Sequence, residues 1–495
     1  MTGFAAPAVE NTPQQNFALK FTIAIGLAAL ADALFYDQRI GLSLTVFTIA
    51  LVAASLITNR AQLDRKRAVA ASIIFVASVL PAVEQLSTLS FLFLLLGTIS
   101  SIALWTNPAI VGSRAPLTAF RQFLLIGPFR LGPDILAAMR APGLSRSILG
   151  WCVPVALGLV FLALFAEANP LIEQWVDMLR PHRVAADFDQ IHVLFWLAML
   201  SLIWPFIHLR WRPKAARPTG FAPAAAASQG SIATAQAALL GPGTVLHSLL
   251  LFNLLFAVQS ATDLVYLWGG VQLPDGLTYA SYAHRGAYPL VFTALLAAAF
   301  VVLAIRPNDT KPQSLLARVL LYLWVSQNLL LVISSMLRLK LYVDSYLLTY
   351  WRIAALLWMG LVALGLILIT LRITMNRSHR WLLQMNLLAV AATLYVCALT
   401  NFDAIIAGYN VTHSRDAGGK GVMPDVSYLA SLGPQALPAI DRAIASHLSE
   451  SHLSAYRDRL LQAQASDMAS WRTWSFRGWR LQHYLNTHPV PSPPS

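Results

Sequence analysis

The sequence predicts an all-α fold: a polytopic α-helical membrane protein with about eleven transmembrane helices and a small helical C-terminal tail outside the cytoplasm. The chain has 495 residues, of which 57% are hydrophobic and only 12% are charged, and its mean hydropathy is +0.60. A soluble domain carries about 25% charged residues, so this composition cannot cover a water-facing surface. The apolar residues are also gathered in runs of about 20, the length that crosses a bilayer as a helix.

Eleven such runs follow one another along the chain. They cover residues 18–35, 40–58, 68–83, 86–105, 149–168, 191–209, 245–268, 288–305, 316–336, 353–373 and 381–400. The connection between the third and fourth runs is very short and contains Pro81 and Glu84. Counts of ten or twelve spans therefore stay open.

The basic residues of the loops predict the orientation, because cytoplasmic loops are enriched in Lys and Arg. The even-numbered loops contain nineteen such residues and the odd-numbered loops contain seven. The seven are Arg39, Arg180, Arg183, Arg285, Arg338, Lys340 and Arg352. We therefore expect a membrane protein with a cytoplasmic N-terminus and an extracytoplasmic C-terminus. The net charge of +13 belongs to these short loops, so we expect no nucleic acid as a partner.

The runs and the stretches between them divide the chain into five parts. They are a disordered cytoplasmic N-terminus (1–17), a first bundle of about six helices (18–209), a cytoplasmic linker (210–243), a second bundle of about five helices (244–400) and the tail (401–495). Residues 106–147 are basic and semi-apolar with Pro and Gly breaks, which favours short helices in the headgroup region. In the tail, residues 434–446 and 449–470 are amphipathic and predict helices. A run rich in Trp and Arg, 471–480, follows and is expected to pack on the tail or lie on the outer leaflet.

Charged and polar residues in or beside the spans are the candidate site, because a charge within the membrane is costly. Asp263, late in the seventh span, is the sharpest case, and Asp32 lies at a similar depth in the first span. Either residue can instead be structural, Asp263 as the partner of an Arg or Tyr and Asp32 by reaching the surface. The candidate extracytoplasmic cluster comprises Asp263, Tyr282, His284, Arg285, Arg338, Tyr342, Asp344, Arg352, Asp403, Tyr409 and Asn410.

Two interpretations of this cluster stay open. Arg, His, Asp and Tyr together can bind an anionic headgroup or a phosphate, whose oxygens match the guanidinium fork. The same residues can form a satisfied polar cap in which Tyr and Arg anchor the helix ends. No residue of the cluster is assigned a catalytic role.

The sequence predicts no metal site and no cofactor. His284 has no second His or Cys at ligand spacing, and Cys152 and Cys397 fall in separate apolar runs, which does not support a disulfide framework. The chain also contains no Gly-rich phosphate loop, Ser elbow or HExxH motif.

Four motifs in the second half resemble the uncharacterised bacterial membrane-protein families known as domains of unknown function 4153 and 4173. They are DLVYLWGG (263–270), YASYAHRGAYPL (279–290), LYVDSY (341–346) and YNV (409–411), and DVSYLASLG (425–433) in the tail is similar. The resemblance covers about residues 253–410, and the first six spans share only their apolar character. One departure is Ala287-Tyr288, which stands where the families have a Phe after Arg-Gly. Because these families carry no established activity, the resemblance implies a membrane location and topology and no substrate.

Three function classes follow. The sequence favours a non-enzymatic sensor or scaffold with a polar extracytoplasmic face. The first alternative is a membrane-embedded transferase or binder acting on a lipid-linked or anionic substrate, although the first outer loop, 36–39, is short for such enzymes. The second alternative is a transporter, for which the polar mid-span residues are few: His247, Asn253, Gln327 and Asn328. The expected partners are the lipid bilayer and either an anionic lipid or another membrane protein.

Overall fold

A computed structural model of the protein describes eight stretches of the chain. They are residues 13–59, 65–106, 120–138, 190–209, 242–265, 315–419, 421–446 and 450–488. Throughout these stretches the chain forms helices joined by turns, which confirms the all-α fold class. The predicted spans 149–168 and 288–305 lie outside the described residues, as does most of the predicted linker 210–243. The count of eleven spans therefore stays a prediction.

The chain divides into two compact units. Unit 1 comprises Met1–Ala215 together with Asp467–Arg480, and unit 2 comprises Ala216–Ser466 and Leu481–Ser495. The tail thus contributes to both units.

Unit 1 contains six α-helices among its described residues outside the tail. They are α1 (Pro13–Phe35), α2 (Leu42–Thr58), α3 (Arg65–Glu84), α4 (Thr88–Thr106), α5 (Leu131–Ala138) and α6 (Gln190–Ile207). A π-helical turn (Arg121–Ile126) and a 3₁₀ turn (Pro128–Arg130) precede α5, so the semi-apolar segment does form short helices. α1 begins at Pro13, inside the stretch expected to be disordered, because Pro suits the first helical position and the apolar run follows at once.

The packing of unit 1 depends on small side chains. α1 buries Ala24, Ala28 and Ala31 completely and packs against α2 and α6. A Cβ added to Gly97 of α4 would lie 2.1 Å from the Cβ of Ser78 in α3, so these helices approach closely. Small residues at helix interfaces are typical of membrane proteins, where close van der Waals packing replaces the hydrophobic driving force.

The turn between α3 and α4, which left the span count open, is a reciprocal serine cap. The Ser87 main-chain N–H donates to Ser90 Oγ at 2.7 Å, and the Ser90 N–H donates to Ser87 Oγ at 3.2 Å. Such a pairing satisfies N–H groups that a helix start leaves without an intrahelical partner. The third and fourth runs are therefore two separate helices.

Unit 2 begins with four long helices, and the short helices of the tail follow. They are α7 (Pro242–Asp263), α8 (Leu315–Tyr346), α9 (Tyr350–Thr374), α10 (His379–Leu399), α11 (Phe402–His413), α12 (Val426–Ser431), α13 (Leu437–Ala445), α14 (Glu450–Met468) and α15 (Phe476–Thr487). α14 starts in unit 2 and ends in unit 1, whereas α15 starts in unit 1 and ends in unit 2. The two amphipathic stretches predicted in the tail correspond to α13 and α14.

α7 and α8 run in the same direction. Asn253, in the middle of α7, donates through Nδ2 to the carbonyl of Leu320, near the start of α8, at 2.9 Å. Asp263, the last residue of α7, pairs with Arg338, which lies further along α8. Residues 265 and 315 therefore lie at opposite ends of the pair. α8, α9 and α10 are joined by short turns and pack in sequence.

Six described helices are long and apolar enough to cross a membrane. They are Phe17–Phe35, Arg65–Glu84, Thr88–Thr106, Arg318–Tyr346, Tyr350–Thr374 and His379–Leu399. Leu42–Thr58 and Ile191–Ile207 are shorter apolar helices. Many large hydrophobic side chains of these helices are exposed, among them Ile73, Leu197 and Leu387. An exposed apolar belt of this kind is what lipid-facing helices present, so these helices indicate membrane embedding.

Candidate functional site

The turn between α8 and α9 is the centre of the predicted extracytoplasmic cluster. Leu347 in this turn has a φ of 65°, a left-handed conformation that is unfavourable for a side chain with a Cβ. Asn410 of α11 stabilises it by pairing with the main chain of Leu348: its Oδ1 accepts from the N–H at 2.7 Å, and its Nδ2 donates to the carbonyl at 3.0 Å. The turn is thus fastened to the tail by a buried amide.

Further tail residues bind the same turn. Tyr428 accepts a hydrogen bond from the Tyr350 N–H at 3.2 Å, and the Val422 N–H donates to the Ser345 carbonyl at 3.1 Å. Below these polar contacts, Val343 and Leu348 belong to the hydrophobic core formed by α11, α12 and α13. The end of α8 and the start of α9 therefore pack in the same hydrophobic core as the tail helices.

Arg352 contacts the end of α8 through its guanidinium group. Its Nη1 donates to the Tyr346 carbonyl at 2.6 Å and to the Leu347 carbonyl, and its guanidinium lies 4.7 Å from the centre of the Tyr342 ring. These contacts satisfy carbonyl groups at the end of α8, which have no intrahelical partner.

The carboxylates beside the turn are each paired with a tyrosine. Tyr409 donates to Asp344 at 3.1 Å, and Tyr350 donates to Asp403. Burial and the neighbouring Asp344 carboxylate raise the pKa of Tyr409, because both disfavour a tyrosinate. The phenol therefore stays a hydrogen-bond donor at neutral pH.

Asp263 and Arg338 form a buried ion pair between α7 and α8. The two side chains are 1% and 2% exposed, and Gln259 donates to the same Asp263 oxygen at 3.1 Å. Arg338 precedes Asp344 by six residues, about 9 Å along the helix axis. The predicted partner of Asp263, an Arg near the surface, is thus identified as Arg338.

The structure divides the predicted cluster into this ion pair and the cap around the α8–α9 turn. Each of its eight described members contacts a partner within unit 2. Tyr282, His284 and Arg285 lie outside the described residues. Anion binding by the whole cluster stays a prediction.

Unit 1 contains a second polar site, which the sequence analysis did not identify. Glu84 at the end of α3 pairs with Arg477, at 3.3 Å, and with Arg480. Arg39 in the α1–α2 turn pairs with Asp467 at 3.2 Å. The tail segment of unit 1 therefore lies on the α1–α2 and α3–α4 turns, at one end of the unit.

Main-chain contacts reinforce this attachment. Arg472 donates through Nη2 to the Ala33 carbonyl at 3.3 Å, and the Ser43 N–H donates to the Arg472 carbonyl at 3.2 Å. A Cβ added to Gly41 would lie 2.7 Å from the Arg472 oxygen and the Thr473 Cα, so only glycine allows this approach. The available sequence signal was a glycine and an acid in two turns predicted to face the same side as the Trp/Arg run.

Asp32 is also paired. Its Oδ1 lies 2.6 Å from His192 Nε2, and the Tyr36 ring stacks on the imidazole with centres 4.0 Å apart. Asp32 and His192 thus link α1 to the start of α6, and Asp32 does not simply reach towards the surface.

Asp134 of α5 is a further buried acid that the sequence analysis missed. It is 5% exposed and accepts a hydrogen bond from Trp204 Nε1 at 3.0 Å, with His208 Nε2 3.9 Å from the same oxygen. Asp134 is the only acidic residue between 106 and 147, and that isolation in a basic, semi-apolar segment was the usable signal. The described part of this segment, residues 120–138, packs on α6.

Within the described stretches, no group of three or more His, Cys, Asp or Glu side chains is placed to hold a metal ion. The polar sites of these stretches are pairs and small networks that join helices through hydrogen bonds and ion pairs.

The family described as "Domain of unknown function (DUF4153)" matches residues 70–443. The chain belongs to this family. The DUF4153 match extends beyond the stretch of about 253–410 that carried the resemblance: it begins in α3 of unit 1 and ends in α13 of the tail. The α8–α9 turn and the tail residues bound to it thus lie within the DUF4153 region, whereas the Trp/Arg segment lies after it. Searches among curated proteins and solved structures gave no match.

Proposed function

We propose that the protein is a non-enzymatic scaffold of the bacterial inner membrane that holds its C-terminal tail in a fixed position on the extracytoplasmic face. The attachment of the tail carries this proposal. In unit 2, α11, α12 and α13 share a hydrophobic core with the α8–α9 turn. In unit 1, the tail segment Asp467–Arg480 is bound to the α1–α2 and α3–α4 turns.

The turns that hold the tail support its extracytoplasmic location. All three belong to odd-numbered loops, which contain seven basic residues against nineteen in the even-numbered loops. The charge bias assigns such loops to the outside. A tail bound to them lies on the same side.

The pairing of the acidic groups favours a scaffold over a transferase. A transferase at this face needs a carboxylate that can reach a substrate. Asp344 and Asp403 are each hydrogen-bonded to a tyrosine, and Glu84 faces two arginines. These contacts stabilise the tail and leave each of the three carboxylates paired with a neighbouring side chain.

The first test is topological. Alkaline phosphatase is fused after Ser495 of the intact chain in a Gram-negative host, because a fusion at Asn410 would break the amide pairing with Leu348. We expect an active fusion, since the enzyme folds only outside the cytoplasm. An inactive fusion at normal abundance would place the tail inside and overturn the proposal.

The second test asks whether the tail is held in place. Trypsin added to spheroplasts can cleave after Arg472, Arg477 and Arg480, and we expect slow cleavage because Arg477 is buried against Glu84. Gly41→Ala should accelerate cleavage, since its Cβ meets the Arg472 and Thr473 main chain. Gly26→Ala is the matched control, because its Cβ meets nothing within 4 Å. Equal cleavage rates in the wild type and Gly41→Ala would show that the segment is not held.

A transporter is the second candidate, and the polar interface of α7 and α8 favours it. Asn253, Asn328 and Ser335 are buried there, and Asn328 Oδ1 and Trp324 Nε1 hydrogen-bond to no described residue. Buried polar groups of this kind are typical of a hydrated path. Proton flux into proteoliposomes that is lost in Asn328→Leu would support transport, whereas equal flux in empty liposomes, wild type and variant would leave the scaffold.

A further inference from the structure

The tail segment of unit 1 lies at a defined depth relative to the membrane. It is bound to the turns that end α1 and α3 and begin α4, and each of these helices is long and apolar enough to cross a bilayer. The ends of such helices lie at the boundary between hydrocarbon and headgroups. We therefore place residues 471–480 in the headgroup region. This inference rests on the proposed scaffold function and names the lipid headgroups as a partner of its tail.

The aromatic side chains of this segment are exposed. Trp471, Phe476 and Trp479 are 51%, 40% and 47% exposed, although aromatic rings of this size are usually more buried. Phe476 and Trp479 stack with ring centres 5.5 Å apart. Aromatic residues prefer the membrane interface, where one part of the ring contacts acyl chains and another part meets water.

Guanidinium groups accompany the rings. Arg472 lies over the Trp471 ring at 5.5 Å and Arg480 lies over the Phe476 ring at 5.0 Å. Arg39 pairs with Asp467, and Arg477 and Arg480 share the single carboxylate of Glu84. The side chains of Arg39 and Arg480 stay 69% and 51% exposed beside these carboxylates. Arginine pairs well with phosphate oxygens.

We propose that residues 471–480 together with Arg39 form a binding surface for anionic phospholipids of the outer leaflet. The aromatic rings lie at the level of the upper acyl chains, and the guanidinium groups of Arg39 and Arg480 contact the lipid phosphates. Arg39 and Arg480 also pair with carboxylates, but 69% and 51% of their side chains stay exposed, whereas Arg338 of the predicted cluster is 2% exposed. The anionic-lipid site is therefore assigned to this surface.

Photo-crosslinking in nanodiscs tests this surface with the full-length protein. The discs contain phosphatidylcholine with a trace of photoactivatable phosphatidylglycerol or photoactivatable phosphatidylcholine, and labelled peptides are mapped by mass spectrometry. We expect the phosphatidylglycerol probe to label residues 467–480 in preference to the phosphatidylcholine probe. An arginine near an anionic lipid contributes about a fivefold preference, so Arg39→Gln/Arg480→Gln should lower the preference by roughly 25-fold at most.

The matched control removes two exposed arginines elsewhere in the tail. Arg415→Gln/Arg459→Gln has the same net charge as the test variant, and it should keep the full preference. The test variant loses the Arg39–Asp467 and Arg480–Glu84 pairs but keeps the Arg477–Glu84 pair and the main-chain contacts of Arg472. The trypsin assay verifies that these remaining contacts hold the segment.

The remaining outcomes contradict the proposal. Equal labelling by both probes, or a preference that survives in Arg39→Gln/Arg480→Gln, would show that the arginines do not select lipid charge. Loss of the preference on addition of inorganic phosphate would identify a phosphate site instead of a lipid surface. Absence of labelling by either probe would show that the exposed rings do not contact lipid and would favour a protein partner. Both leaflets of a nanodisc have the same composition, so a negative result here is independent of the topology reporter.

Discussion

The buried ion pair between Asp263 and Arg338 should behave as one unit in stability measurements. Both side chains are almost completely buried, at 1% and 2% exposure. Asp263→Ala leaves the Arg338 charge without its carboxylate and removes the acceptor of the Gln259 hydrogen bond. Removing one partner of a buried pair costs about 3–5 kcal/mol, so we expect Asp263→Ala and Arg338→Met each to lower the free energy of unfolding by that amount.

The double variant separates charge pairing from packing. Asp263→Ala/Arg338→Met removes both charges and keeps the volume of the longer side chain, so it should lie within about 1–2 kcal/mol of the wild type. Equilibrium unfolding in mixed micelles of dodecyl maltoside and SDS measures the four free energies. Asp458→Ala, an exposed acid of α14, is the control and should change stability by less than about 0.5 kcal/mol.

Two results would refute this reasoning. One is an Asp263→Ala cost below about 1 kcal/mol, which would mean that water or another cation reaches Arg338. The other is a double variant whose cost equals the sum of the two single variants, because independent residues add whereas paired charges do not. If Asp263→Ala instead leaves stability intact and abolishes proton flux, the α7–α8 interface serves transport.

Three further predictions concern the helix contacts and the cap. Gly97→Ala should lower the free energy of unfolding by about 1–3 kcal/mol, because its Cβ overpacks against Ser78. Adding Ser78→Gly to this variant should restore stability, and the control Gly360→Ala should cost far less. An unchanged unfolding midpoint for Gly97→Ala would contradict the close approach of α3 and α4. Asn410→Ala should cost about 1–3 kcal/mol, because the buried main-chain N–H and carbonyl of Leu348 lose their partner; faster proteolysis at the α8–α9 turn reports it, and an intact turn would show that the amide is dispensable. Asp425 caps α12, and hydrogen bonds from the Ser427 hydroxyl and the Tyr428 N–H lower its pKa; since its ionised form is favoured in the folded state, its contribution is present above the unfolded-state pKa and is lost as the pH falls through the lower folded-state pKa. The thermal unfolding midpoint of Asp425→Asn should therefore depend less on pH in acid than that of the wild type, and Asp425→Ala should cost about 1 kcal/mol of stability at neutral pH. Parallel pH profiles of Asp425→Asn and the wild type would show that the ionised carboxylate does not contribute to the cap.

Local composition was sufficient for the fold class and for the helices. A transmembrane helix is specified by about 20 consecutive residues whose summed hydropathy favours lipid, so the run 353–373 predicted α9 (Tyr350–Thr374) closely. α8 extends ten residues beyond the predicted run, to Tyr346. This extension contains Arg338, Lys340 and Asp344, and tertiary contacts with α7 and α11 make a helix favourable there. Hydropathy does not register such contacts.

The candidate site was predicted as a set of residue types on one face, and its pairing was not predicted. Asp263 was expected to meet an Arg or a Tyr, yet Arg338 is 75 residues away in sequence, beyond what local patterns can connect. The Glu84–Arg477 pair spans 393 residues. The charge bias predicts only that this turn and the Trp/Arg run lie on the same side of the membrane, and it does not predict that they bind each other.

The sequence by itself determined the class of the protein: lipid is the solvent of its helices because too few polar residues are present to cover them in water, and the basic residues predict which ends face the cytoplasm. Only the tertiary structure decided which partners the few polar side chains contact. In a medium without water, each buried polar group needs a partner, and partners are chosen by the packing of distant helices. That choice paired Asp344 and Asp403 with tyrosines beside the α8–α9 turn, and it left Trp471, Phe476 and Trp479 about half-exposed.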